Sequence, residues 1–322
     1  MVSLRRLMLA GALNLLLVLT TSAQVISTDK RVLPLTNFDT RAAAIPVGAV
    51  STPIQFTVDP GGSGSDFFDV VSSHPQAVIS LILPGGAEIN AGNAEAQGFS
   101  FDVITIGDEE ESLTAPIFQL PGTHTVIGLP ASSPPGTYQI KIDGSNVTGD
   151  HAVVASYYSS SPVRVGAVTD AATYQVGDTV IVSAVVLNDS TPVTGATVTA
   201  SIGDVSQSAL PPVSVVLQDS GQYDEATGDG IYTGSFTAGN AGDFTAQVRA
   251  TGTSSGLSYS RTSSTTFRVL TSLANFISFS DAGVDDNGNS LLDRVVVTAT
   301  VNVQTAGTYR FTLDLSSSTA RL

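Results

Sequence analysis

Short runs in which hydrophobic and polar residues alternate cover most of this chain, and Gly, Pro, Asp and Asn separate the runs. In STPIQFTVD, for example, Ile54, Phe56 and Val58 fall on one face of an extended strand. A period of two is typical of a strand with one buried face. After the N-terminal segment, no window keeps the i, i+3, i+4, i+7 pattern of an amphipathic helix. The pattern therefore predicts an all-β protein.

The predicted strands fall into three groups along the chain. Residues 30–162 are long enough for a jelly-roll-like sandwich, and 163–270 contain about seven strand runs, as in an immunoglobulin-like sandwich. Residues 271–322 hold a partial β module, in which RVVVTATVNV alternates best and TYRFTLDL is the last predicted strand. We thus expect tandem β-sandwiches followed by a short C-terminal β remnant.

Turn-forming residues predict how some strands connect. DGSNVTGD lies between the runs TYQIKI and HAVVASYY, and STPVTG lies between TVIVSAVVL and GATVTASI. Each of these two pairs of runs is predicted to form a hairpin. A repeat of the form small-Gly-polar-aromatic occurs as PGTYQIKI, AGDFTAQV and AGTYRFTL, and it predicts an aromatic plug near the start of a late strand.

The first residues read as an export signal. Arg5 and Arg6 precede an apolar stretch, Leu7 to Thr20, and TSA (21–23) is a small-residue cleavage site. The apolar stretch has about 14 residues, too few to cross a hydrocarbon core of ~30 Å as a helix. Residues 1–23 are therefore predicted to be a signal peptide, and the protein to be secreted or held in a bacterial envelope.

The charge balance limits the possible partners. The formal net charge is −15, with 13 basic and 28 acidic residues and no cysteine. Such acidity argues against nucleic acid and anionic membrane surfaces, which select Lys and Arg clusters. An exported chain without disulfides depends on its cores, and on bound metal if there is any, for stability. An extracellular protein or glycan is the expected partner, and no transmembrane segment is predicted.

Residues suited to catalysis are scarce. The three histidines, His74, His124 and His151, fall at predicted loops or strand edges of the first domain. GGSGS fails the G-x-S-x-G pattern because Ser65 occupies the final Gly position. The paired spacing of zinc motifs is missing as well. We expect a protein that is not an enzyme.

GVDDNGNSLLD, residues 283–293, is the first candidate metal site. Asp285, Asn287 and Asn289 place oxygen ligands at every second residue, and Asp293 adds a fourth. Calcium takes six to eight oxygen ligands, so these residues could wrap half of the ion. The loop is not an EF-hand, because Val296 stands where the bidentate Glu belongs. The alternative is an Asx-rich turn in which these side chains bind their own backbone.

A second acidic run, LQDSGQYDEATGDGIYTGSF, places Asp219, Asp224 and Asp229 at intervals of five. These residues are candidates for another Ca²⁺-ordered loop. The alternative is two separate turns, at Asp219-Ser-Gly221 and at Asp229-Gly230, that lead into the next strand.

Two stretches resemble known modules. PVTGATVTASI, then VVLQDSGQYDEATGDGIYTGSF, then AGDFTAQVRATG resembles, over about residues 165–270, the β-sandwich module of calcium-activated chloride channel regulators and of bacterial surface proteins with similar domains. The resemblance implies an extracellular, non-catalytic Ig-like domain, with Asp219, Asp224 and Asp229 as its acidic loop positions. The D-x-S-x-S pattern of a von Willebrand A domain is absent.

The C-terminal stretch GVDDNGNSLLDRVVVTATVNVQTAGTYRFTLDL resembles a module of bacterial secreted proteins with the pattern D-x-[DN]-GNG-L-x-D. Ser290 replaces the usual second Gly of that pattern. The resemblance implies another secreted β module.

Together these features predict a secreted, calcium-stabilised β-sandwich protein with a structural, adhesive or display role. Two alternatives stay open. The chain could be the accessory region of a secreted protease or glycan hydrolase. It could also bind carbohydrate, with Tyr157, Tyr158 and Phe99 stacking on sugars.

Overall fold

The computed structural model describes residues 35–61, 65–106, 120–205, 211–224, 226–271, 274–291 and 293–303. The predicted signal peptide and the predicted strand TYRFTLDL lie outside these residues. The chain divides into two compact units, one of which spans Ala23–Val269 while the other includes Leu270–Leu322. Almost all regular structure in the described residues is β. Within those ranges, no helix combines the length and apolar character needed to cross a membrane.

In the part of the chain that the structure describes, nine strands build the first sandwich. They are β1 (Phe38–Ala44), β2 (Ile54–Val58), β3 (Phe67–Ser72), β4 (Val78–Ile82), β5 (Glu88–Ile89), β6 (Ser100–Ile106), β7 (Gly122–Gly128), β8 (Gly136–Asp143) and β9 (Ala152–Tyr158). One sheet has the order β1-β9-β3-β7-β6 and the other β2-β8-β4-β5. Both sheets contribute to a single core, with Phe68 and Val70 from the first and Phe56 and Tyr138 from the second.

The predicted hairpin of β8 and β9 is wrong. Strand β8 pairs with β2 and β4, whereas β9 pairs with β1 and β3, so the connection between β8 and β9 crosses from one sheet to the other. Val147, in the middle of that connection, is buried in the core between the sheets. An eight-residue loop with an apolar anchor can span a sandwich about 10 Å thick, whereas a tight hairpin needs only two to five residues.

Nine further strands, counted over the described residues, build the second sandwich. They are β10 (Val163–Thr169), β11 (Thr173–Gln175), β12 (Thr179–Asn188), β13 (Thr191–Pro192), β14 (Thr197–Asp204), β15 (Val213–Leu217), β16 (Ile231–Thr237), β17 (Gly242–Ser254) and β18 (Leu257–Leu270). In one sheet β12 lies between β10 and β16 and also pairs with β13, and the other has the order β11-β18-β17-β14-β15. The short strands β11 and β13 bring the number above the expected seven.

Alternation predicted the core of the second sandwich. Val180, Val182 and Val186 of β12 are fully buried, and Val198 and Ile202 of β14 pack into the same core. The predicted hairpin of these two runs is wrong, because β12 and β14 belong to different sheets and only the two residues of β13 fold back onto β12. All-β structure with tandem sandwiches, as predicted, is confirmed.

In the first copy of the aromatic repeat, PGTYQIKI, the aromatic residue enters the core as predicted. Tyr138 is fully buried and its hydroxyl donates to Pro134 O at 2.9 Å. Phe244, in the second copy, is partly buried and stacks on Phe267 with ring centroids 5.4 Å apart. The third copy lies outside the described residues.

The C-terminal unit contains an antiparallel hairpin. Strands β19 (Ala274–Val284) and β20 (Arg294–Val303) pair along their length, with a bulge between Phe276 and Ser278. The acidic loop of residues 285–293 connects them, so this loop joins two strands as expected.

Candidate functional site

Asp285 organises the loop between β19 and β20. Its Oδ1 accepts from the backbone N–H of Gly288 at 2.8 Å, and its Oδ2 accepts from Ser290 N at 2.7 Å. Two longer bonds come from the backbone of Asn287 and Asn289. Desolvation, the largest single influence, raises the pKa of Asp285, but the four backbone hydrogen bonds together outweigh it, so the pKa of this carboxyl is lowered.

The other three predicted ligands are occupied in the same way. The Oδ1 atoms of Asn287 and Asn289 each accept from a backbone N–H two residues ahead. Asp293 accepts from Asp286 N at 2.9 Å and from the Asn287 side-chain amide at 3.3 Å. These bonds match the Asx-turn interpretation and close the loop from within. Calcium at these four residues stays a prediction.

The second acidic loop, between β15 and β16, is organised by Asp219. Its carboxylate accepts from the backbone N–H groups of Gly228 at 2.7 Å, Asp229 at 3.1 Å and Gly230 at 3.2 Å. Gly230 has φ +78°, and an added Cβ would lie 2.9 Å from Pro192 Cβ. Glycine is therefore required at position 230 of the GDG turn, because a positive φ is unfavourable for other residues and their Cβ would also clash with Pro192.

Asp224 differs from its neighbours. Both of its carboxylate oxygens are shielded from solvent and have no hydrogen-bond partner among the described residues. Burial raises the pKa of Asp224, and the nearby negative charges of Asp229 and Asp219 raise it further. The backbone of Ala226 offsets this in part without reaching hydrogen-bonding geometry. Beside this residue, the Tyr223 hydroxyl is 3.0 Å from Ser235 Oγ and ties the loop to β16.

The negative charges of the three predicted residues in this loop therefore influence one another. Asp219 and Asp229 also form the turn through hydrogen bonds with backbone N–H groups. In the described part of the chain, no three His, Cys, Asp or Glu side chains converge closely enough to hold a metal ion. The unsatisfied carboxylate of Asp224 is the feature that sequence reasoning could not see, because spacing does not reveal which acids have hydrogen-bond donors.

His124 is not at a strand edge, contrary to expectation. It lies in β7, between β3 and β6, and its side chain is fully buried. Its Nδ1 is 3.0 Å from Asp69 Oδ1 and its Nε2 is 2.8 Å from Leu120 O. Burial raises the pKa of Asp69, and the contact with His124 partly opposes this. Since both ring nitrogens are engaged, this imidazole offers no free base to a substrate.

The other two histidines meet at the end of the first sandwich. The ring centroids of His74 and His151 are 4.5 Å apart. His151 Nδ1 is 3.2 Å from Ser73 Oγ, and His74 Nδ1 accepts from Gln76 N at 3.2 Å. Sequence spacing did not predict this contact.

The aromatic residues considered for sugar stacking are buried. Tyr157 is fully buried and donates to Asp66 Oδ1 at 3.1 Å, Tyr158 stacks on Phe67, and Phe99 belongs to the first core. None of the three offers an exposed face for a sugar ring, so their assignment to carbohydrate binding was wrong.

Two ion pairs with buried carboxylates, which the sequence pattern did not predict, connect the first sandwich to the second. Arg261 of β18 is fully buried, and its Nη2 is 2.7 Å from Asp59 Oδ2 in the first sandwich. Arg249 Nη1 is 2.7 Å from Asp39 Oδ1, and Asp39 is fully buried too. Strand patterning gives no signal for a pair that is 202 residues apart.

The sequence of one segment matches a known family. Residues 154–269 match the family described as conditioned medium factor 2nd Ig-like domain. This match confirms an Ig-like module in the second sandwich. The particular families named from motif resemblance are not shown by it. No curated protein sequence gives a significant match to this chain.

Several solved structures are similar at low identity. A DUF4785 family protein from Legionella pneumophila has 12% identity and a TM-score of 0.49, covering 85% of this chain and 69% of that one. A β-glucuronidase from Bacteroides uniformis and a glycosyl hydrolase family 2 member from Bacteroides cellulosilyticus have 11% and 10% identity and TM-scores of 0.22 and 0.20. Each covers 70% of this chain, which spans only 26% and 27% of their lengths. At these scores no activity transfers to this chain.

Proposed function

We propose that this chain is a secreted or cell-surface, non-catalytic β-sandwich protein with a structural, adhesive or display role, and that Ca²⁺ stabilises its Ig-like domain. The Ig-like module of residues 154–269 is the observation that carries the proposal. Modules of this architecture present loops and surfaces from a rigid framework, and function then resides in what they present. The partner class is an extracellular protein or a glycan.

The loop of Asp219, Asp224 and Asp229 is the better of the two candidate calcium loops. Buried oxygens without a donor cost free energy, and two neighbouring carboxylates add repulsion at Asp224. A bound Ca²⁺ would relieve both costs by coordinating these oxygens. Because no three acidic side chains converge closely enough in the described residues, binding would have to draw the three carboxylates together. Backbone N–H groups occupy the carboxylate of Asp285 in the loop of 285–293, just as they occupy that of Asp219 here, so the unsatisfied Asp224 is what distinguishes the two loops.

Thermal unfolding of the full chain with millimolar Ca²⁺ and with chelator tests this assignment. At about 100 times Kd, one bound ion should add about 2.7 kcal/mol to the free energy of unfolding. Asp224→Asn should abolish the calcium-dependent rise in Tm. In chelator it should raise Tm, because a buried negative charge is removed.

Asp285→Asn is the matched control, since it makes the same change in the other acidic loop. It should keep the calcium-dependent rise. An unchanged wild-type Tm in calcium, or loss of the rise in Asp285→Asn alone, would contradict the assignment.

Secretion is tested separately. The pattern of Arg5, Arg6 and the following apolar stretch predicts that cleavage leaves Gln24 as the mature N-terminus. Mass spectrometry of the protein exported by a bacterial host should find this N-terminus. Retention of the full-length chain inside the cell would count against export.

A further inference from the structure

The two sandwiches have separate hydrophobic cores. The first core draws mainly on β2 to β9 and the second on β10 to β18, and among the described residues no buried apolar residue belongs to both clusters. A small third cluster, in which Leu35 packs against Val185, Leu187 and Ile231, gives one apolar contact between the N-terminal segment and the second sandwich.

The remaining contacts described below are polar. They are the ion pair of Arg261 with Asp59, the contacts of β1 and the residues before it with β17 and β18, and the hydrogen bonds that hold the linker at Ser159 and Ser160. Together we call these contacts the joint.

Arg261 forms the centre of the joint. Besides Asp59, its guanidinium donates through Nε to Val163 O at 3.0 Å and through Nη1 to Ser260 O at 2.8 Å. Asp59 is almost fully buried as well. A buried guanidinium whose donors reach three acceptors tolerates little displacement, because any shift leaves a charge unpaired in a low-dielectric interior.

A second set of contacts runs along β1. Arg249 Nη2 donates to Thr40 O at 3.2 Å while its Nη1 binds Asp39. Thr36 Oγ1 donates to Thr262 O at 2.6 Å, and Thr40 N donates to Thr262 Oγ1 at 2.9 Å. These bonds place the start of the first sandwich directly on β17 and β18 of the second.

The linker between the sandwiches is held in place by hydrogen bonds to Asp66 and Asp59 of the first sandwich. Asp66 accepts from Ser160 N at 2.9 Å and from Ser160 Oγ at 2.8 Å. The Ser159 hydroxyl donates to Asp59 O at 3.0 Å. Gly61 lies against this linker, since a Cβ there would be 2.5 Å from the carbonyl carbon of Ser160. Both the linker backbone and its side chains are thus held at fixed positions.

We propose that the joint locks the two sandwiches into a single rigid, cooperatively unfolding body, with the Arg261–Asp59 pair as its key contact. Buried ion pairs add little net stability compared with apolar residues, but their directional bonds select one arrangement. The lock is therefore a device for orientation. It does not depend on calcium, and under the proposed function it would fix the direction in which the Ig-like domain points.

Hydrogen exchange of the full chain tests the coupling without altering the joint. Val248→Ala removes buried volume from the second core only. If the sandwiches are locked, amide exchange in β8 of the first sandwich should accelerate by the same factor as in β12, about tenfold or more. Val216→Ala, at a residue that is mostly exposed, is the control and should change neither strand. Acceleration in β12 with no change in β8 would overturn the proposal.

The Arg261 pair is then tested in the same assay. The double variant Arg261→Met with Asp59→Asn removes both charges together, so neither is left buried alone. In this background Val248→Ala should accelerate exchange in β12 but no longer in β8. Coupling that persists would overturn the role of the pair. Should Val248→Ala not fold, Ile202→Val makes a smaller change in the same core.

Discussion

Asp69 and His124 form a fully buried polar pair inside the first sandwich. Both side chains are shielded from solvent on neighbouring strands β3 and β7. The histidine joins a carboxylate on one side and the carbonyl of Leu120 on the other. His124 therefore connects strand β3 to Leu120, two residues before β7 begins.

Breaking this set should be costly. We expect His124→Leu to lower the free energy of unfolding by about 3–5 kcal/mol, because it leaves Asp69 buried without its partner. Adding Asp69→Leu should recover much of the loss, since two apolar residues replace the pair. Urea unfolding measures both, with Val103→Ala on the exposed side of β6 as a control. A loss of less than about 1 kcal/mol in His124→Leu would show that the pair is not buried as described.

Asp224 should give a pH dependence of defined sign. Its pKa in the folded protein is raised by burial and by Asp229 and Asp219. Because the pKa is higher in the folded protein, protonation of Asp224 stabilises the folded state. This stabilisation is fully present below the pKa of the unfolded chain, near 4, and is lost as the pH rises through the pKa of the folded protein.

In calcium-free protein, the difference in Tm between Asp224→Asn and wild type should accordingly grow as pH rises from about 4 to 7. Melting curves at several pH values measure it. A difference that shrinks over this range would contradict the raised pKa.

At the scale of elements, strand periodicity predicted which residues face a core but not which sheet a strand joins. The β8–β9 and β12–β14 connections were both expected to be hairpins, and both cross the sandwich. Alternation describes one strand at a time, so it places Val180 and Val198 in a core while leaving their pairing open. Pairing depends on contacts across the chain, which decide the topology.

The linker element gives a local test of the joint. Gly61→Ala should lower the free energy of unfolding by about 1–3 kcal/mol, because the new methyl group meets the Ser160 backbone, which cannot move away. Gly85→Ala is the matched control, since open space surrounds a Cβ there. Urea unfolding compares the two. Equal stabilities would indicate that the linker does not press against Gly61.

On the scale of the whole molecule, acidity is the dominant property. With a net charge of −15, the negative side chains repel one another in the folded state. Some of the few basic residues, such as Arg249 and Arg261, are already paired with buried carboxylates. Salt screens exposed charges strongly and buried pairs much less.

In calcium-free buffer, raising NaCl from about 10 to 500 mM should therefore raise Tm, because it shortens the screening length from tens of Å to a few Å. Scanning calorimetry across this range measures the change. A falling Tm would indicate that exposed attractive pairs outweigh the net repulsion.

Prediction of the candidate site was partial for a definite reason. Spacing found both acidic loops, and the strands place each of them between the two runs that the sequence indicated. It could not separate them, because the difference lies in hydrogen-bond donors. Asp285 accepts hydrogen bonds from four backbone N–H groups within its own loop, while the carboxylate of Asp224 has no hydrogen-bond partner among the described residues.

The amino-acid sequence by itself determined the all-β class, the tandem sandwiches and the residues that face their cores, because a period of two and burial of apolar side chains are local properties. Only the tertiary structure decided the sheet topology, the isolation of Asp224 and the joint. Arg261 meets Asp59 across 202 residues, and His124 meets Asp69 across 55. Such contacts depend on how the strands pack, since a buried charge gains its partner only when distant segments are brought together in space.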